Sequence, residues 1–281
     1  MHSLQEMLGY TFFQRALLAG IIIGFVNGAF GAVVVLRKSA LVASSLSHAL
    51  LPGVAIGILV AGLSAWNAFL GALFAALVVV LSSLSVSRNT RLDYGTSLAV
   101  ILTLAFAVGV MIADKLPEGR RINLEDYLFG NILNIARDDL WVVFIIGAVT
   151  LTLATALQRP ILLTLFEPSV AAAQGVPTRK INYLLMTLLV LVMVASLQAV
   201  GCILSLVMLV APAATIYLLT NSAQAMFWGG GLLGSAGAVA GILLADRLEF
   251  RPGTMITLIL GAFFLAALLF APKPAGAPLR E

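Results

Sequence analysis

The stretch ALLAGIIIGFVNGAFGAVVVL, Ala16 to Leu36, contains no charged residue and one amide, Asn27, and it stops at the pair Arg37-Lys38. At 1.5 Å per residue a helix over it is about 31 Å long, the thickness of a bilayer's hydrocarbon core. Apolar runs of similar length recur at Leu41 to Gly62, Trp66 to Val86, Ser97 to Ala113, Leu140 to Leu157, Ile181 to Ala199, Val200 to Thr220, Ala225 to Ala245 and Thr254 to Ala271. They are continuous rather than alternating, which fits membrane helices and not a membrane barrel. The expected fold is an all-α polytopic bundle of eight or nine transmembrane helices. The uncertainty lies at Ala199 to Gly201, where no polar linker separates two runs.

Composition agrees. The 281 residues are 61% hydrophobic and 10% charged, far from the balance of a water-soluble chain. The net charge of +4 is too small and too scattered for a nucleic-acid surface, so no nucleic-acid partner is expected. One cysteine, Cys202, and two histidines leave no disulfide framework and no Cys/His zinc cage. The reading gives one transmembrane domain over 1–281, a cytoplasmic segment at 158–180 and a flexible tail at 272–281. The first run lacks a small-x-small cleavage site and is expected to be retained.

Lys and Arg cluster in alternate connections: Arg37 and Lys38; Arg88 and Arg91; Arg159, Arg179 and Lys180. The positive-inside rule then puts these loops in the cytoplasm, the N-terminus outside and, with nine crossings, the tail with Lys273 and Arg280 inside. The opposite loop, Asp114 to Asp139, has six acids against four bases, a sign that suits a cation's entry.

Several chemistries are excluded by inventory. None of the four lysines, Lys38, Lys115, Lys180 and Lys273, follows the glycine pattern of a phosphate-binding loop. No Asp or Glu lies within an apolar run, so a proton- or sodium-coupled carrier lacks its usual intramembrane carboxylate. His2 is terminal and no zinc-protease motif is present. The chain is expected to be a non-enzyme with no resident cofactor.

His48 is the one His, Lys, Arg, Asp or Glu inside an apolar run, in Ser44-Ser45-Leu46-Ser47-His48-Ala49-Leu50-Leu51-Pro52-Gly53. Ser44 lies four residues before it, on the same helical face, while Ser47 points about 100° away. Imidazole suits divalent transition metals, and a weakly held ion passing one or two ligands is what conduction requires. The same pattern also fits a neutral histidine clasping a neighbouring helix. Gly20, Gly24 and Gly28 form a smooth face for close helix packing, and Asn27 beside them is either part of that packing or pore-lining.

Four stretches carry a family resemblance. The first is Gly28-Ala29-Phe30-Gly31-Ala32-Val33-Val34-Val35-Leu36-Arg37-Lys38 with Ser47-His48-Ala49 and Leu51-Pro52-Gly53. The second joins Asp93-Tyr94-Gly95-Thr96-Ser97 to Tyr127-Leu128-Phe129-Gly130-Asn131-Ile132-Leu133. Third is Phe166-Glu167-Pro168-Ser169-Val170-Ala171-Ala172-Ala173-Gln174-Gly175-Val176. The fourth runs from Val200-Gly201-Cys202-Ile203-Leu204 through Leu209 to Pro212-Ala213-Ala214, with Pro252-Gly253. In that order they resemble the membrane permease of ABC importers for zinc, manganese and iron, with the type II importer architecture.

The resemblance implies a homodimer in a bacterial inner membrane, a cytosolic ATPase subunit and an extracytoplasmic metal-binding protein. It makes His48, with Ser44 and Ser47, the transient metal-lining set, and Glu167, Pro168, Ala171 and Gly175 the ATPase-coupling residues. Pro168 suits the first position of a short helix and Gly175 its end. One departure stands out: the family usually has an aspartate four positions before this histidine, and here it is Ser44. Either the path uses softer ligands, or the cargo is a metal chelate or other small solute; an ATP-independent carrier is a further alternative.

Overall fold

The computed structural model describes residues 9–62, 64–115 and 132–271. Among these residues are nine helices of 18 residues or more: α1 (Thr11–Leu36), α2 (Ala40–Ala61), α3 (Ala65–Asn89), α4 (Tyr94–Asp114), α5 (Arg137–Ala156), α8 (Thr178–Val200), α9 (Cys202–Leu219), α10 (Ala223–Leu248) and α11 (Pro252–Phe270). Two short helices, α6 (Gln158–Phe166) and α7 (Pro168–Ala173), lie between α5 and α8, and a 3₁₀ turn at Ile132–Asn134 precedes α5. No strand occurs among the described residues. Among the described residues eight of the long helices, α1, α3, α4, α5 and α8 to α11, are long and apolar enough to cross a membrane by length and composition, and α2 spans 22 residues of a further apolar run. The helices outrun the apolar runs because flanking segments such as Thr11 to Arg15 and Ser87 to Asn89 continue the backbone ladder. The tail at 272–281 and most of the loop 114–139 fall outside the described residues.

The bundle is built around α1. Of its most apolar window 72% is buried, against 22% for α4 and for α11. Glycines let α10 lie backbone to backbone against it. A Cβ added at Gly24 would stand 2.6 Å from the Gly234 carbonyl oxygen, and one at Gly28 would collide with the Gly230 carbonyl. Since 24 meets 234 and 28 meets 230, the two helices are antiparallel. Gly31 meets the Leu209 carbonyl and Ala213 of α9 in the same fashion. Without a hydrophobic drive between helices in lipid, such close approach supplies the dispersion contacts that hold them.

The doubtful join at Ala199 to Gly201 is a reversal. Ile181 and Leu185, at the start of α8, pack with Val33 near the end of α1. α9 follows α1 in parallel, Asn27 opposite Ser205 and Gly31 opposite Leu209. The chain therefore turns back at Gly201, whose φ of +84° is one that side chains rarely tolerate. Val200 and Cys202 on either side are buried, so α8 and α9 are two separate helices and α9 begins at the depth of Asn27, midway along α1.

Candidate functional site

α2 carries the proposed ligands. Its backbone is helical through Ser44, Ser47 and His48, so positions 44 and 48 share a face; Ser44 is half-buried, and the side chains of Ser47 and His48 lie outside the described residues. Pro52 sits within the helix and has no N–H to offer the carbonyl four residues back, which belongs to His48. Positions 44 and 48 of α2 thus share a face in the same segment whose His48 carbonyl lacks a partner in the helical ladder. Just beyond it α2 is pinned: a Cβ at Gly109 of α4 would stand 2.6 Å from the Pro52 nitrogen, and Gly53 and Gly57 lie against Gly71 and Asn67 of α3.

Asn27 is 1% exposed and donates from Nδ2 to the Ser205 carbonyl at 3.2 Å. It clasps α1 to the first turn of α9, which is the packing alternative. Asp93 caps α4, accepting from the Thr96 N–H at 3.0 Å and from the Thr96 hydroxyl, and these bonds hold its carboxyl below the usual range. Pro252 occupies the first turn of α11. Tyr127 to Asn131 of the second stretch lie outside the described residues. No group of three or more His, Cys, Asp or Glu that could hold a metal occurs among the described residues.

The basic connections gather at one end of the bundle. Arg37, the end of α3 at Leu84, the start of α4 at Tyr94 and the start of α8 at Arg179 border one cleft. α6 joins the same end, since Ile161 packs with Val33, Ile181 and Leu185. The 158–180 segment is thus built as two short helices with Glu167 between them. Pro168 opens α7, and the Ala171 N–H bonds the Glu167 carbonyl at 2.9 Å. Gly175, at φ +78°, closes it: Gly175 N–H bonds the Ala172 carbonyl at 3.0 Å and Val176 N–H bonds the Ala171 carbonyl at 2.9 Å. That pair is the Schellman pattern, which satisfies carbonyls the helix end leaves open. Ala171 is fully buried and serves to seat α7. The outward apolar side chains are Phe166, 58% exposed, and Val170, 42% exposed. Sequence reading missed these two; only their spacing of four, on a segment too short to show a period, could have suggested a shared outer face.

A multi-helix bundle with broad apolar outer faces defines a multi-pass membrane protein. Residues 9–271 match the model of the ABC 3 transport family, and the chain belongs to that family. It is 37% identical over 268 residues to a manganese transport system membrane protein, MntC, of Halalkalibacterium halodurans, covering 95% of this chain and 90% of that one. It is 30% identical over 268 residues to a probable iron transport system membrane protein of Haemophilus influenzae, covering 95% of this chain and 97% of that one. Among solved structures, PsaBC from Streptococcus pneumoniae in complex with Fab superposes with a TM-score of 0.86 at 32% identity, covering 96% of this chain and 95% of that chain.

Proposed function

We propose that this chain is the membrane permease of an ATP-driven importer of a divalent transition metal, with manganese as the first cargo and iron the second. The observation that carries the reading is the match along nearly the whole chain to membrane transport components whose names give these metals. The chain hydrolyses no ATP itself; a cytosolic ATPase does so, docking on α6 and α7 through Phe166 and Val170, with Glu167, Pro168 and Gly175 fixing the shape of that segment and Ala171 seating it. In this arrangement the basic end faces the cytoplasm, so the N-terminus is outside and the C-terminal tail inside, in a bacterial inner membrane.

Two copies pair so that α2 of each borders the path, and an extracytoplasmic binding protein delivers the ion. His48 then meets the cargo, with the hydroxyls of Ser44 and Ser47 as further oxygen ligands. Neutral ligands in place of a carboxylate hold the ion briefly, which suits passage rather than storage. Closure of the ATPase pair moves the α6–α7 segment, and rigid helices rock to carry the opening from one side to the other.

The test is the metal content of cells lacking the gene, grown under chelation and rescued with wild type, His48→Ala or Ser44→Asp. Wild type and Ser44→Asp are expected to restore manganese. His48→Ala is expected to lower uptake by roughly tenfold, the scale by which changes around a metal weaken its binding, with the amount of protein in the membrane unchanged. Unaltered metal levels in the deletion would overturn the metal reading and turn attention to chelates. Full transport by the lone chain in liposomes would overturn the ATP-driven one.

A further inference from the structure

At the basic end of the bundle a half-open cleft of about 560 Å³ lies between α3 and α8, closed at its polar end by Arg37 and Tyr94. The Arg37 Nη1 and the Tyr94 hydroxyl are both buried there without a hydrogen-bond partner among the described residues. Leaving such groups unmet is costly, so each is expected to find a partner. Arg179 lines the same polar end with its guanidinium 5.9 Å from the centre of the Tyr183 ring. No acidic residue lines the cleft. The nearest carboxylate in sequence, Asp93, is exposed and engaged with Thr96. Two cations and a hydroxyl therefore converge on a space with no protein anion to meet them.

The rest of the cleft is mostly apolar, with Thr178, Asn182 and Thr187 of α8 as its remaining polar lining. Leu77, Leu81 and Leu84 form one stripe of α3, and Met186 and Val190 face them from α8. Leu84 to Leu77 extends about 10 Å along its helix axis, away from the basic end. Leu81 is 58% exposed and Tyr183 41% exposed, so the cleft opens sideways, toward the surroundings of the bundle rather than along its axis. A polar, cationic mouth at the membrane edge with an apolar trough running inward has the polarity of one ligand class. We propose that the cleft binds an acidic phospholipid, its phosphate between Arg37 and Arg179 with Tyr94 donating to it, and one acyl chain along the α3–α8 trough.

The chemistry fits in each part. Arginine offers paired donors to phosphate oxygens, and charge-assisted bonds of this kind are the strong ones. Basic pockets between membrane helices on the cytoplasmic side are where anionic headgroups concentrate. Burial draws the Arg37 guanidinium below its ordinary value, the adjacent Tyr94 opposing that shift, and a bound phosphate would offset the same desolvation. A free inorganic anion would satisfy the arginines but leave the trough unfilled. The cleft is built from α1, α3, α4 and α8 and uses neither Ser44 nor His48, so the inference is independent of the cargo. It rests on the bundle being embedded in a bilayer with its basic end toward the cytoplasm, as proposed above.

The full chain is reconstituted into phosphatidylcholine with and without phosphatidylglycerol, then released and weighed by native mass spectrometry, with its thermal midpoint measured in parallel. Wild type is expected to keep a phosphatidylglycerol molecule per chain and to melt higher in the mixed membrane. Arg37→Gln and Arg179→Gln are each expected to reduce retention by about fivefold, from roughly 1 kcal/mol per basic residue. Arg91→Gln, which removes the same charge from the exposed α3–α4 turn, is expected to leave retention unchanged. If Arg37→Gln does not fold, Arg179→Gln decides alone. Equal retention in Arg179→Gln and wild type overturns the proposal. So does stabilisation by inorganic phosphate in pure phosphatidylcholine as large as that by phosphatidylglycerol, which would make the site one for a free anion. Unchanged lipid retention together with loss of a co-purifying subunit overturns it in favour of a protein partner.

Discussion

Two glycine seams hold this bundle, and they differ in reach. Along α1, Gly20, Gly24, Gly28 and Gly31 meet α10 and α9 through the middle of the helix. Along α2, contact of this kind is confined to Gly53 and Gly57, against Gly71 and Asn67 of α3, with Pro52 against Gly109 of α4. The first seam fixes the central part of α1; the second fixes the half of α2 that follows the segment of Ser44 and His48. The half bearing Ser44 and His48 has no glycine of its own. A transporter must keep one part rigid while its substrate-handling part changes surroundings, and this division supplies both within neighbouring helices.

The largest effect is expected where the rigid seam is broken. In Gly28→Leu the added side chain meets the Gly230 carbonyl itself, and neither helix can yield without displacing α9 as well. The cost exceeds the usual 1–3 kcal/mol of overpacking, and the variant is expected to give little folded protein. Size-exclusion profiles in mild detergent check this; a monodisperse, wild-type-like peak would mean that α1 and α10 slide more freely than the seam implies.

Gly57→Leu sharpens the contrast. Its new side chain meets the Asn67 carbonyl, but α3 is only 28% buried over its apolar window and can move outward into lipid. About 1–3 kcal/mol of destabilisation is expected, with folded protein retained and uptake reduced more than protein level. Equal losses of uptake and of folded protein would show that α2 is scaffold along its whole length.

The sequence announced helices more clearly than partners. Each apolar run became a helix, because length and hydropathy alone decide that in a bilayer, and Pro168 and Gly175 correctly bounded the short helix α7. The four-residue glycine spacing of α1 marked a packing face, yet nothing in it said that residues some 200 positions later would fill that face. The cleft of Arg37, Tyr94 and Arg179 was illegible for the same reason: it joins four helices and exists only once they assemble. Phe166 and Val170 were passed over because their exposure depends on Ala171 turning inward, which is a tertiary fact. The Ala199 to Gly201 join was ambiguous because a reversal buried at mid-depth, made with one glycine, leaves no polar mark.

The smallest expected effect concerns that reversal. Asn27 is a polar clasp between α1 and the start of α9, and it adds to a seam already held by Gly31 against Leu209. Hydrogen bonds between membrane helices contribute only about 0.6 kcal/mol on average. The Ser205 carbonyl sits within α9, where the helix itself can satisfy it, so Asn27→Leu is expected to lower the thermal midpoint slightly and leave uptake near wild type. A large fall in uptake with normal stability would give the opposite answer: α9 shifts against α1 during transport, and the amide guides that motion. The rigid core would then end at Gly28 rather than include the start of α9.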